Sequence, residues 1–134
     1  MNTTRAIGLA LLLTALPAPV AAAPFDGSVP LICAAIDVQE CSAGGDCQRR
    51  TAEGVNLPRF IKLDFTKKTM SATGADQRTA PITTFDRANG RIIMHGGQEG
   101  RAWSLVIAGD TGQMSAGVVD DNFAFLVFGA CTAY

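Results

Sequence analysis

Residues 101–131 read RAWSLVIAGDTGQMSAGVVDDNFAFLVFGAC, and the fold is decided in this stretch. Trp103, Leu105 and Ile107 alternate with Ala102, Ser104, Val106 and Ala108. That period of two puts one large apolar row on one face of a strand. Gly109-Asp110-Thr111-Gly112 is a hairpin turn, Gln113–Val119 a second strand, Asp120-Asp121-Asn122 another turn, and 123–131 a third strand apolar on both faces. Connections this short force antiparallel neighbours, because a parallel crossover takes about a dozen residues or more.

The same grammar extends towards the N-terminus. Residues 91–98 form a strand whose Gly96-Gly97 pair points to a bulge or a close backbone approach. DRANG at 86–90 is a turn ending in Asn-Gly, and 81–85 a strand before it. Ile61, Leu63 and Phe65 alternate with Lys62 and Asp64, and the turn 66–69 leads into a short strand at 70–73. The first strand falls at 29–38, rich in Ile, Val and Ala. About eight short strands joined by tight turns predict an all-β fold, a small antiparallel up-and-down barrel, with a β-sandwich as the alternative. Closure removes exposed strand edges, which favours the barrel.

Residues 1–22 read as a secretory signal peptide: Arg5, an apolar run at 6–16, then Pro17, Pro19 and small residues, with cleavage after Ala22. The apolar run rises only about 16 Å as a helix against a hydrocarbon core of roughly 30 Å, too short for a stable membrane anchor. No Cys lies near the junction to carry a lipid. The expected mature chain is a single disulfide-stapled β-domain at 23–134, exported to the periplasm or secreted.

Four cysteines, an even number, remain in it: Cys33, Cys41, Cys47 and Cys131. In an oxidising compartment this predicts two disulfides. Their spacing lacks the tight C-x₂₋₄-C pair usual in zinc sites, so neither a metal nor any other cofactor is expected. If the barrel closes, its first and last strands are neighbours, which pairs Cys33 with Cys131 and leaves Cys41 to Cys47 across a Gly-rich loop.

A formal charge of −1 lacks the basic footprint of a nucleic-acid binder. The chain has one histidine, His95, with no second His, no G-x-S-x-G elbow and no phosphate-binding loop. The carboxylates are scattered, several of them at turns. Seven Phe against one Trp and one Tyr favour core packing over a stacking platform. No catalytic residues are assigned, and the expectation is a non-enzymatic protein.

Its expected role is to bind another macromolecule, as an inhibitor or accessory subunit does. The alternative is a carrier of a small apolar ligand in the barrel, and an enzyme of unrecognised type comes third. The expected binding surface is the long irregular loop 39–58, with Arg49, Arg50 and Glu53 supplying charge and Val55 and Leu57 an apolar anchor. The competing expectation is that this loop plugs the barrel end, with Val55 and Leu57 buried. Interior volume separates the partner-binding and ligand-carrying roles.

Overall fold

The computed structural model describes residues 25–75 and 77–134. The expected signal peptide and its cleavage site lie outside the described residues. Nine strands follow in chain order: β1 (Leu31–Ser42), β2 (Gln48–Arg50), β3 (Phe60–Asp64), β4 (Thr69–Ala72), β5 (Thr79–Ala88), β6 (Arg91–Gln98), β7 (Arg101–Ala108), β8 (Gln113–Val119) and β9 (Phe123–Ala133). All neighbours are antiparallel, and β3 to β9 run as a continuous meander. β1 pairs with β3 on one side and β9 on the other, which closes a barrel of eight strands. The ninth, β2, lies outside the ring as a short hairpin partner of β1.

The alternation seen in the sequence sets what points inward. Ile92 and Met94, Leu105 and Ile107, and Phe125 and Val127 are buried, and their strand neighbours face out. Leu31 and Leu63 complete the middle of the core. The seam between β1 and β9 holds eleven register pairs, and Cys33 stands directly opposite Cys131. These two form one disulfide, with Cα atoms 3.9 Å apart, and Cys41–Cys47 forms the other.

Two local features follow from glycine. The turn between β5 and β6 is only Asn89-Gly90, with φ of 52° and 70°, the left-handed pair that matches strand twist. The strand therefore runs through Asp86 and Arg87, which pair with Ile93 and Ile92, and does not turn at Asp86. Gly96 faces Trp103 across β6 and β7, and β5 shifts register beside it, between Ile82 and Thr84. A Cβ at Gly96 would lie 2.3 Å from Trp103 Cζ2, so the indole occupies the space a side chain would need.

The end of the barrel near the N-terminus is covered by Phe25, whose N–H donates to Gly109 O at 3.4 Å and whose ring lies against Gly112. The guanidinium of Arg87 donates to the carbonyl of Asp26 in the same cap.

Candidate functional site

At the other end β1 changes partner. It pairs with β3 through residues 31–34 and with β2 through 38–40, and its register shifts between Ala35 and Asp37. One backbone bond, Ala35 N–H to Arg59 O at 2.8 Å, bridges the interval. The bulge leaves Ile36 74% exposed.

Residues 39–58 are more ordered than an irregular loop. β1 continues to Ser42, the Cys41–Cys47 disulfide clips the turn, and β2 returns with Gln39 opposite Arg49 and Glu40 opposite Gln48. Cross-strand ion pairs hold it: Arg49 to Asp37 at 2.6 Å and Arg50 to Glu40 at 3.4 Å. All three residues of β2 are exposed, so no buried apolar row marked it as a strand.

The chain then crosses the barrel mouth. Ala52 and Val55 are buried and Leu57 packs against the core. Val55 sits in a single 3-10 turn, Glu53–Val55, ended by Asn56 at φ 56°. Leu57 N–H donates to Ala52 O at 2.9 Å, and Arg78 Nη1 donates to Asn56 O at 3.0 Å, which pins the segment as a lid. The five residues singled out from sequence are thus divided by the fold. Val55 and Leu57 face the lumen, whereas Arg49, Arg50 and Glu53 stay on the outside.

Several concavities result, a groove and an apolar cavity among them. The first is an open groove of about 390 Å³ beside β2, lined by Ile36, Val38, Arg49, Arg50, Glu53 and Arg59 among others. Among the described residues Arg59 has no ion-pair partner. The pairs made by Arg49 and Arg50 are solvent-exposed and worth little, so either fork is free to take another carboxylate. Across β1 the register places Phe128 opposite Asp37 and Leu126 opposite Gln39, each 46% exposed. Ile36, Phe128 and Leu126 were missed in the sequence reading. All three look like core residues until the bulge and the barrel's inside are known.

The second concavity is a cavity of about 90 Å³ under the lid, bordered by Leu57, Pro58, Ile61, Met70, Trp103 and Met114 with other apolar side chains. Trp103 is only 7% exposed, and its Nε1–H is buried with no hydrogen-bond partner among the described residues.

His95 lies on the outer face, as the burial of Ile92 and Met94 requires, with Nδ1 2.8 Å from Ser104 Oγ. This is a base beside a hydroxyl on an exposed strand pair. Among the described residues no carboxylate reaches the imidazole, and neither residue borders the groove or the cavity. Asp120-Asp121-Asn122 is a turn. Asp120 Oδ1 accepts the N–H groups of Asn122 at 3.0 Å and Phe123 at 2.8 Å, and Arg101 Nε lies 3.3 Å from Oδ2.

These bonds, led by that from Asn122, hold the Asp120 carboxyl below its usual value of 3.8. The folded chain therefore binds this proton more weakly than the unfolded chain. The corresponding stability is complete above the unfolded value and lost as pH falls through the folded one. Asp120→Asn, which can still accept both N–H groups, is expected to flatten the fall in urea midpoint between about pH 5 and pH 2. A slope equal to that of the wild type would place the acid sensitivity elsewhere, Asp26 and Asp64 being lowered in the same direction.

Comparison with protein-family models, with curated proteins and with solved structures finds no match. Two disulfides fit an extracellular or periplasmic protein, and no helix among the described residues is long and apolar enough to cross a membrane.

Proposed function

We propose that this is an exported, non-catalytic protein that binds another protein, in the manner of an inhibitor or accessory subunit, through the groove beside β2. The observation that carries the reading is the exposed Ile36 at the β1 bulge, which lines one groove with Arg49, Arg50, Glu53 and Arg59. An apolar side chain in one groove with guanidinium forks has the layout of an interface: a small desolvated centre and a charged rim. Phe128 and Leu126, one strand away, extend the apolar centre. The partner segment that fits offers a carboxylate to Arg59 and one apolar residue to cover Ile36. The lid residues Val55 and Leu57 support the groove from inside and do not act as its anchor.

The test uses the secreted protein, immobilised and exposed to a native periplasmic or culture-supernatant extract. Both Ile36→Asp and the double variant Arg49→Ala/Arg50→Ala change solvent-exposed side chains and should cost under about 1 kcal/mol of stability. Both are expected to lose the proteins retained by the wild type, while Thr83→Ala on another part of the surface keeps them. If the two groove variants retain the same proteins as the wild type, the reading fails.

A further inference from the structure

We infer that the cavity under the lid takes the end of a small apolar ligand bearing a carbonyl oxygen, and that Trp103 Nε1–H donates a hydrogen bond to that oxygen. This site is separate from the groove and stands on different residues.

The cavity of about 90 Å³ has room for a chain of a few carbons, and its walls are hydrocarbon and thioether: Ala35, Leu57, Pro58, Ile61, Met70 and Met114. Trp103 stands in this wall, and its indole N–H is shut off from solvent with no hydrogen-bond partner among the described residues. Buried donors are normally satisfied, and those that are not call for an explanation. An ordered water is a poor one, since a buried water needs two to four polar partners and this wall offers it the indole alone. A ligand that brings one acceptor on an apolar body satisfies the N–H and fills the space together. Met70 and Met114 line the same cavity and are unbranched and adaptable, so its wall can re-form around a ligand.

The indole is held in place by the fold itself. Gly96 gives up a side chain so that the Cε2–Cζ2 edge of the ring can lie against β6, with contacts of 2.3 Å and 2.6 Å to where a Cβ would be. A phenylalanine in its place would keep an apolar wall and lose the donor.

Trp103 is the single tryptophan of the chain, so its indole proton gives one unambiguous NMR cross-peak. The wild-type protein is titrated with 2-hexanone and, separately, with n-hexane. The expected result is saturable binding of both, with the indole proton moving downfield for the ketone and not for the alkane. Trp103→Phe is expected to weaken 2-hexanone about tenfold, the size of one net hydrogen bond, and to leave n-hexane within about twofold. The wild-type titration stands even if that variant does not fold. Equal indole shifts with both compounds, or equal weakening of both by Trp103→Phe, would overturn the hydrogen bond while leaving an apolar site. Binding of neither compound would overturn the site itself, and neither result bears on the protein-binding groove.

Discussion

Replacing Cys33 and Cys131 together by Ala is expected to lower stability by about 4–5 kcal/mol, the larger of the two disulfide effects. The two half-cystines are 98 residues apart, so their bond restricts nearly the whole described chain in the unfolded state. The chain-entropy model gives about 4.7 kcal/mol for a loop of about 100 residues and about 2 kcal/mol for a short one. Cys41–Cys47 has a separation of only 6, and its double Ala variant should lose roughly half as much. Domains of this size hold a total of about 5–15 kcal/mol, so the first variant stands near the edge of folding. The barrel topology should survive below the midpoint, because the remaining register pairs of the β1–β9 seam close the ring without the sulfurs. Urea denaturation of both variants measures the difference. The reverse order, with Cys41–Cys47 the more costly, would show that the length of the closed loop in the unfolded chain does not set the size of the effect.

Gly96→Ala is expected to cost roughly 3 kcal/mol, at the upper end of what overpacking a tight core position does. The added Cβ would lie 2.3 Å from Trp103 Cζ2 and 2.5 Å from the Pro81 carbonyl oxygen. One obstacle is a buried ring and the other is backbone, so neither yields cheaply. Gly117→Ala is the control, since a Cβ there meets nothing within 4 Å. It should be neutral or slightly stabilising, because alanine loses less backbone entropy on folding than glycine. Thermal unfolding followed by tryptophan emission reads both quantities at once. In the Gly96→Ala protein the midpoint falls and the folded-state emission shifts red as the indole is pushed off β6. An unchanged midpoint and emission would mean that the ring is not seated on Gly96.

Much of the barrel could be read before its coordinates. From β6 to β9 the inward rows alternate without interruption, and the bounds expected for β6, β7 and β8 coincide with those found. The glycine pair at 96–97 pointed to a bulge or a close backbone approach, and the Pro81 carbonyl does come within 2.5 Å of where a Gly96 Cβ would be, whereas the Trp103 ring on the same spot was not foreseen. The disulfides were legible by topology, because a closed meander makes its first and last strands neighbours and β1 does lie against β9. The reading weakened at β2 and in the lid. The Gln48–Arg50 strand buries nothing and is held by its register pairs with β1 and the Cys41–Cys47 clip, an arrangement with no hydrophobic period to detect. Val55 and Leu57 were legible as apolar, but the direction in which they point depends on how the chain crosses the mouth.

The sequence by itself determined the fold class, the strand order and the cysteine pairing, because each follows from local alternation, short turns and the single requirement that the sheet close. Only the tertiary structure decided the two places proposed to hold a ligand or a partner. Ile36 is exposed because β1 bulges against β9 between Ala35 and Asp37, where its other edge passes from β3 to β2, and that pairing is made with strands distant in the chain. The cavity under the lid is the volume left over where side chains from the lid and from β1, β3, β4, β7, β8 and β9 fail to meet. Such a volume is a difference between positions in space, and residues far apart in the chain set it jointly.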